Sequence, residues 1–418
     1  MKKIAIVIQR FGHGINGGAE VHAKQIADLL KADFDITVLT SCAEEYTTWE
    51  PVYTAGPLIE DNIKIVRITN EVRDEAKQKI LAKRIKYSPK VLIRRKLYPF
   101  ITKKHIAPEQ KSLNQTCHEW LQAQGPHMPE LDSYIQEHQD NYDAFIFFTA
   151  LYYPTAACLN YVKDKAILIP LLHHESCSFF PWFNSCYEDS RFIFFNTKSE
   201  KSLAEKIYSY EKSKGSIVAV GVNQPKITEQ LPKAQPPYIV YIGRVSKGKG
   251  CKALFDWFIK WKTQTSSTLQ LVVIGKESME VPVHPDIIKK GFTTEETKNA
   301  YLNGAQALVI PSKYESLSLV TLESFSLSVP VIGNGQCETV KDHIIDSKGG
   351  YIYTNYSSFV DILNEISSPT YDKTKKGIKG FKYIDSQYQW DHVYQKFSQA
   401  INTIYDEQRA SITQERKD

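Results

Sequence analysis

The chain has 418 residues, more than a single hydrophobic core usually supports, so two domains of about 200 residues each are expected. With 42% hydrophobic and 24% charged residues its composition is that of a globular protein, and no apolar run is long enough to span a bilayer. The net charge of +5 is unevenly distributed, because residues 71–104 hold twelve Lys or Arg against three acids, which leaves about −4 on the remainder.

The seven cysteines are odd in number, scattered and without a Cys-x-x-Cys pair. This usage favours a reducing compartment and argues against a structural zinc site. The first apolar run, residues 4–8, is short and ends in polar residues, so it indicates a buried strand and not a signal peptide. A cytoplasmic protein is expected.

Short β-rich runs alternate with helical patterns along the first half of the chain. In order, the predicted elements are a strand at 4–9, a helix at 19–30, strands at 36–40, 63–68, 144–149, 166–172 and 192–195, a helix at 199–210 and a strand at 217–220. Such alternation is typical of parallel strands with helices on both faces of the sheet.

A glycine- and proline-rich stretch, residues 221–237, predicts a linker, after which the alternation resumes with strands at 238–242, 271–274, 307–310 and 329–332. The sequence therefore predicts an α/β protein with two doubly wound domains, which bind ligands at the carboxyl ends of their strands. The predicted boundaries are 1–222 for the first domain, 223–387 for the second and 388–418 for a last helical segment. A basic helical insertion is expected within the first domain, at about 71–140.

A glycine-rich loop, residues 11–20, follows the first predicted strand. It lacks the G-x-G-x-x-G spacing, and no acidic residue ends a clear second strand, so a nicotinamide cofactor is not expected. By pattern alone, Gly17 and Gly18 form a turn.

Two histidines follow the buried strand at 166–172, in the sequence His173-His174-Glu175. A metal site would need further ligands, and Cys177 is the nearby candidate. A histidine packed in the core is the competing interpretation for either ring.

Apolar and basic residues are interspersed in residues 71–104. The mixture predicts either contact with an anionic membrane or a lipid-linked acceptor, or else a pair of solvated helices. Nucleic acid is not expected as a partner, since no recognition motif accompanies the charge.

Residues 238–250 predict a strand, a turn at Gly243, and then two cations, Arg244 and Lys249, before a helix. Fixed cations at the mouth of such a unit suit the charge that develops on a diphosphate leaving group. Taken alone, such a pair is more often part of a solvated loop.

Two glutamates eight residues apart, Glu315 and Glu323, lie where the strand at 307–310 gives way to a helix. The unpaired amides and the positive dipole end at a helix start favour a diphosphate, without a metal. Glu323 would then accept hydrogen bonds from ribose hydroxyls and Glu315 from a sugar ring; the alternative is that both acids complement the helix dipole. The other residues predicted to bind the donor here are Ser316, Leu317, Ser318, Leu319 and Val320.

These two segments together, in this order, resemble the retaining nucleotide-sugar glycosyltransferases of family 4, which have the two-domain GT-B fold. The residues that carry the resemblance are Gly243-Arg244, Lys249-Gly250, Gly291-Phe292 with Glu295 and Lys298, Pro311-Ser312, the Glu315/Glu323 pair and Pro330-Val331-Ile332. The resemblance is detailed over residues 238–345. The chain departs from the family at Ser316, Ser318 and Ser328, where glycine is common.

The resemblance implies two Rossmann-like domains that face each other across a cleft, with the donor bound mainly by the second and the acceptor by the first. It implies transfer of a hexose-type sugar from a nucleoside-diphosphate sugar to a saccharide or lipid-linked acceptor, by front-face attack and without an essential metal or other cofactor. Gly17 and Gly18 would admit donor phosphate or acceptor, and His173, with His174 as second choice, would contact the sugar. The residues expected to act in catalysis are His173, Arg244, Lys249 and Glu315.

The family further suggests bacterial cell-surface polysaccharide synthesis, in the cytoplasm or peripherally at the inner face of the membrane. A sugar-nucleotide epimerase of GT-B fold and a catalytically silent GT-B binding subunit are the alternatives.

Overall fold

The computed structural model describes residues 1–15, 17–89, 91–92, 111–229 and 236–415. They form two compact units, Met1–Val220 with Trp390–Asp418, and Gly221–Gln389. Among the described residues, no helix combines the length and the apolar character that crossing a membrane requires.

The first unit contains an eight-stranded sheet in the order β3-β4-β2-β1-β5-β6-β7-β8. The strands are β1 (Lys2–Val7), β2 (Phe34–Ser41), β3 (Gly56–Glu60), β4 (Ile63–Ile68), β5 (Ala144–Phe148), β6 (Ala166–Ile169), β7 (Phe192–Phe195) and β8 (Gly215–Ile217). All neighbouring strands are parallel except β3 and β4, which are antiparallel. The helices are α1 (Gly18–Leu30), α2 (Glu75–Lys86), α3 (Lys111–Gln124), α4 (Pro129–His138), α5 (Tyr153–Cys158), α6 (Asn184–Asp189) and α7 (Lys198–Ile207).

The second unit contains a six-stranded parallel sheet in the order β11-β10-β9-β12-β13-β14. Its strands are β9 (Tyr238–Ile242), β10 (Gln270–Ile274), β11 (Ile287–Gly291), β12 (Ala307–Ile310), β13 (Val331–Asn334) and β14 (Gly350–Tyr353). Its helices are α8 (Cys251–Lys262), α9 (Glu295–Gly304), α10 (Leu319–Ser326), α11 (Glu338–Ser347), α12 (Tyr356–Ile366) and α13 (Thr374–Gln387). The last helix, α14 (Trp390–Glu415), belongs to the first unit.

The first sheet is buried on both faces, because successive side chains of a strand point in opposite directions. Ala5 and Val7 of β1 pack in one hydrophobic cluster, whereas Ile4 and Ile6 pack in the other. The second cluster includes an apolar stripe of α14, formed by Val393, Phe397, Ile401 and Ile404. The predicted alternation therefore produces a sheet covered by helices, and the predicted doubly wound α/β architecture is confirmed.

Each sheet has a switch point at which the order of strands reverses. In the first, β2 and β5 lie on opposite sides of β1, and in the second, β10 and β12 lie on opposite sides of β9. Loops that leave the carboxyl ends of two such strands diverge and leave a crevice between them. The topology thus designates the loops after β1 and β5, and those after β9 and β12, as ligand-binding positions.

Several elements differ from the sequence-based prediction. The antiparallel edge strand β3 and the strands β11 and β14 were absent from it, and the helix predicted to reach residue 210 ends at Ile207. In the basic insertion, α2 packs against α3. The contact with a membrane is predicted for residues 71–104, of which residues 90 and 93–104 lie outside the described residues.

Candidate active site

Arg244 and Lys249 lie in the loop that joins β9 to α8. The hydroxyl of Tyr241 donates a hydrogen bond of 2.6 Å to the carbonyl oxygen of Arg244, which fixes the backbone there. The loop begins at Gly243, whose φ is 147°, and ends at Gly250, whose φ is 77°. A Cβ atom at Gly250 would lie 2.3 Å from the carbonyl oxygen of Pro311, so only glycine lets this loop pack against the end of β12.

Lys249 and Glu315 form an ion pair between the two loops of the second switch point. The distance from Lys249 Nζ to Glu315 Oε1 is 2.8 Å, and the two side chains are 37% and 17% exposed. The carbonyl oxygen of Glu315 also accepts a hydrogen bond of 2.7 Å from Thr339 Oγ1 of α11. Two residues that the sequence assigned to separate segments are thus held together beside the ends of β9 and β12.

Glu323 lies in the second turn of α10 and binds a lysine that precedes it in the chain. Lys298 Nζ is 3.1 Å from Glu323 Oε2 and 2.6 Å from Glu295 Oε2, and its side chain is only 14% exposed. Burial alone lowers the pKa of Lys298, but the two carboxylates outweigh it and raise the pKa above its usual value. Lys298 is therefore a fixed positive charge that orients Glu323.

The helix that follows Glu315 begins two residues later than the predicted phosphate-binding segment, 317–320. The helix starts at Leu319 with Ser318 as its N-cap residue, so Ser316 and Leu317 belong to the preceding loop. The side chain of Leu317 is buried in the core. Among the predicted amides, those of Leu319 and Val320 are the ones in the first turn of the helix, where backbone N–H groups lack a carbonyl one turn earlier.

His343 of α11 contacts the loop that precedes α10, at Leu317. It was not identified as a site residue from the sequence. It is 1% exposed, its Nε2 lies 2.9 Å from the carbonyl oxygen of Leu317, and its Nδ1 lies 3.2 Å from the hydroxyl of Tyr383 and 3.3 Å from that of Tyr388. Burial lowers the pKa of His343 to about 4, so the ring is neutral, with Nε2 donating to Leu317 and Nδ1 accepting from a tyrosine. In the sequence, the helical spacing of His343 with the apolar residues Val340 and Ile344, both buried, indicates that the histidine lies on the buried face of α11.

Two of the three serines that replace common glycines have a left-handed backbone. The φ of Ser318 is 59° and that of Ser328 is 56°. Glycine adopts this conformation without steric cost, whereas other L-residues are disfavoured there. Serine at these two positions therefore carries a backbone strain that glycine would avoid.

In the first unit, Gly17 is the N-cap residue of α1 and Gly18 is the first residue of that helix. A Cβ atom at Gly17 would lie 2.0 Å from Oε2 of Glu20, whereas one at Gly18 would meet no atom within 4 Å. Glu20 is fixed by Arg10, whose Nε and Nη2 donate hydrogen bonds of 2.9 and 2.6 Å to Oε1. Arg10 and Glu20 are 6% and 5% exposed, so this ion pair is buried beneath the glycine-rich loop.

His173 follows β6, at the same edge of the first sheet as the glycine-rich loop. Its Nε2 lies 3.1 Å from Glu175 Oε1, and its side chain is 30% exposed. The neighbouring His174 is exposed and packs edge-on against Phe179. The His173 segment is anchored by Glu200, which accepts a hydrogen bond of 2.7 Å from the amide of Leu172 and whose pKa burial raises to about 8.

No cluster of metal ligands involves His173 or Cys177 within the described ranges. There, the group of three closely spaced ligand atoms belongs to His13, Glu60 and Asp61. Lys24 Nζ lies 2.7 Å from Asp61 Oδ2, so an ammonium already neutralises part of that group.

Comparison with known proteins gives one family match and a set of similar solved structures. Residues 223–376 match the sequence model of the family described as glycosyl transferases group 1. No curated protein sequence matches the chain.

Solved structures that resemble the chain include a sucrose-phosphate synthase from Thermosynechococcus elongatus, with 13% identity, a TM-score of 0.66, and 97% of this chain and 100% of that one covered. The Anabaena protein HepE in complex with UDP and glucose shows 12% identity and a TM-score of 0.64, over 96% and 100% of the two chains. The lipopolysaccharide outer core galactosyltransferase WaaB in its apo form shows 16% identity and a TM-score of 0.58, over 96% and 99%. At such identities the likeness establishes the two-domain α/β fold of these proteins, and the second unit is the part similar in sequence to the glycosyl transferases group 1.

Proposed function

We propose that the chain is a retaining glycosyltransferase of family 4 that moves a hexose-type sugar from a nucleoside-diphosphate sugar to a saccharide or lipid-linked acceptor. The proposal rests on two ion pairs, Lys249–Glu315 and Lys298–Glu323, which lie beside the switch point of the second sheet. Both lie within the region that matches the group 1 sequence model.

The diphosphate of the donor is assigned to Arg244, Lys249 and the amides of Leu319 and Val320. An ammonium carries three N–H donors, so Lys249 can bind a phosphate oxygen while it remains bound to Glu315. The amides contribute the positive end of the α10 dipole. In this scheme the protein itself supplies the positive groups that neutralise the diphosphate, and no divalent cation is assigned to the reaction.

Glu315 and Glu323 are assigned to hydroxyl groups of the donor. Each ion pair uses one oxygen of its carboxylate, Oε1 of Glu315 and Oε2 of Glu323. The second oxygen of each can accept hydrogen bonds from vicinal hydroxyls. Because Glu323 lies further along α10 than the phosphate-binding amides, it is assigned to the ribose, and Glu315 to the transferred sugar.

The proposed transfer takes place on one face of the sugar. The bond from the anomeric carbon to the diphosphate oxygen breaks, the acceptor hydroxyl oxygen bonds to the same carbon, and the hydroxyl proton passes to the departing diphosphate. Arg244 and Lys249 stabilise the charge that develops on the diphosphate. In the first unit, His173, oriented by Glu175, is assigned to a hydroxyl of the transferred sugar.

The biological setting follows the same proposal. Synthesis of a bacterial cell-surface polysaccharide or glycoconjugate would place the enzyme in the cytoplasm, with peripheral contact to anionic lipid through residues 71–104. Flotation with liposomes of increasing anionic lipid content tests this contact, and binding that ignores both lipid charge and a Lys/Arg-reduced variant of the segment would refute it.

A panel of nucleotide sugars, scored by the rise in melting temperature of the full chain, tests donor binding, since a ligand of the folded state stabilises it by mass action. The best donor is then incubated with saccharide acceptors, and products are identified by mass spectrometry and the anomeric configuration by NMR. Transfer with retained configuration is expected. An isomerised donor would indicate an epimerase, and binding without turnover a silent subunit; either result would overturn the proposal.

A further inference from the structure

A cavity of about 530 Å³ opens on the first unit and shares no lining residue with the candidate active site. Part of its lining, Asn160, Tyr161, Glu188 and Asp189, comes from segments that lead into the amino ends of β6 and β7. The candidate active site lies at the carboxyl ends of the strands, so the cavity occupies a different region of the unit. Its size falls within the roughly 300–1,000 Å³ of ordinary small-ligand pockets.

Three residues with aromatic rings, His118, Tyr161 and Trp182, line the cavity. The rings of Trp182 and His118 have their centroids 5.1 Å apart and are inclined by 43°. The indole N–H of Trp182 donates a hydrogen bond of 3.1 Å to the carbonyl oxygen of Ala156, which fixes the ring. Tyr161 adds a third ring, 36% exposed. The electron-rich faces of such rings attract the partly positive C–H groups of a sugar ring.

Two residues of α3 that line the cavity each carry a polar atom without a hydrogen-bond partner among the described residues. The atoms are Asn114 Oδ1 and His118 Nδ1, one helical turn apart, and both atoms are buried. Burial lowers the pKa of His118, so its ring is neutral near pH 7. A buried polar atom without a partner is costly, so each side chain would gain a hydrogen bond if it turned this atom towards a ligand in the cavity.

The acidic side chains of the lining disfavour anionic ligands. Three carboxylates, Asp132, Glu188 and Asp189, line the cavity, and none of the lining residues that the structure describes is a Lys or an Arg. A phosphate, sulfate or nucleotide would face these three carboxylates, and the ammonium of Lys214 is already bound to the carbonyl oxygen of Glu188, at 3.2 Å. The three acids also do not form a group of closely spaced metal ligands in the described part of the chain. Carboxylates and amides beside aromatic rings instead suit hydroxyl groups, which both donate and accept hydrogen bonds.

We propose that this cavity is a second saccharide-binding site that holds a short, neutral segment of a glycan without acting on it. The inference extends the proposed function, because a second binding site for the acceptor glycan would keep the glycan bound to the enzyme. The binding itself does not depend on sugar transfer and can be measured without a donor.

The test is binding of neutral oligosaccharides to the full-length chain. Maltotetraose, cellotetraose, chitotetraose and mannotetraose are screened by saturation-transfer difference NMR, and the affinity of the best ligand is measured by calorimetry. Tyr161→Ala and Asn160→Ala alter exposed side chains that line the cavity, so both variants should fold. Each is expected to weaken binding about fivefold, which corresponds to about 1 kcal/mol for one neutral contact. Trp182→Ala should weaken it further.

Tyr87→Ala is the matched control, because Tyr87 is an exposed tyrosine of the same unit, 63% exposed, that does not line the cavity. It should bind like the native chain. The affinity should also be unchanged by saturating UDP and by Arg244→Ala, so that failure of the proposed donor site leaves this result intact. The inference is overturned if no oligosaccharide of the panel binds, if UDP displaces it, or if Tyr161→Ala and Asn160→Ala bind as tightly as Tyr87→Ala.

Discussion

Replacement of Lys249 by alanine is the sharpest perturbation of the proposed donor site. A unit charge about 4 Å from a phosphate oxygen contributes roughly 4 kcal/mol at an effective dielectric constant of 20. The side chain is 37% exposed and already faces Glu315 at 2.8 Å, so screening reduces this value. We expect Lys249→Ala to lose about 2–4 kcal/mol of transition-state stabilisation, a fall of about 30- to 900-fold in kcat/KM.

The assay must separate a direct contact with the diphosphate from simple neutralisation of Glu315. Steady-state transfer is therefore measured for Lys249→Ala, Glu315→Gln and the double variant. If Lys249 binds phosphate, it remains important in the Glu315→Gln background. If it only neutralises Glu315, the second substitution removes its effect.

The matched control is Lys252→Ala, because Lys252 lies three residues further on and, within the part of the chain that the structure describes, pairs with the exposed Asp256 across one turn of α8. We expect it to retain native turnover. The folded state should tolerate Lys249→Ala, since ion pairs with this degree of exposure contribute about 1 kcal/mol or less to stability. Turnover of Lys249→Ala equal to that of Lys252→Ala would refute the assignment.

Three further predictions concern stability. Burial lowers the pKa of His343 to about 4 in the folded state, so the unfolded chain binds a proton at this residue more readily than the folded chain does. The contribution of neutral His343 to the free energy of unfolding is therefore fully present above about pH 6.5. It is lost as the pH falls towards 4. Urea titrations at pH 7 and pH 5 should show about 2 kcal/mol of this loss, which His343→Gln should remove; an equal loss in the variant would contradict the assignment. Ser328→Gly should raise the free energy of unfolding by about 0.5–1 kcal/mol by relieving the left-handed backbone, and a lower midpoint in chemical denaturation would count against it. Glu20→Ala should cost about 3–5 kcal/mol, because it leaves the Arg10 guanidinium buried without its partner, and an unchanged melting temperature would disprove a structural role for the pair.

The sequence predicts those features that are encoded locally. The buried run Ala307–Ile310 and the helical spacing after it place Glu315 in a loop and Glu323 in a helix, as observed. By contrast, β3 begins with Gly56-Pro57 and pairs antiparallel to β4, so it does not follow the βα alternation that served for the other strands.

The contacts of the site could not be read from spacing. Lys249 and Glu315 are 66 residues apart, and they meet only because β12 pairs with β9 in the sheet. His343 was missed because a histidine on the buried face of a helix looks like an ordinary core residue until the carbonyl oxygen that it binds is known. Ser318 and Ser328 have a left-handed backbone, and both stand where the family that the sequence resembles commonly has glycine.

The position of α14 determines how the protein can be dissected into fragments. The second unit, Gly221–Gln389, is a single continuous piece of chain, so we expect it to fold by itself and to serve for nucleotide titrations. The first unit needs both ends of the polypeptide, because the stripe from Val393 to Ile404 completes one of its cores. A truncation before Trp390 would expose the apolar face that α14 covers and yield an aggregation-prone product. Fusion of Trp390–Glu415 to the chain after Val220, through a flexible linker, should restore the buried core.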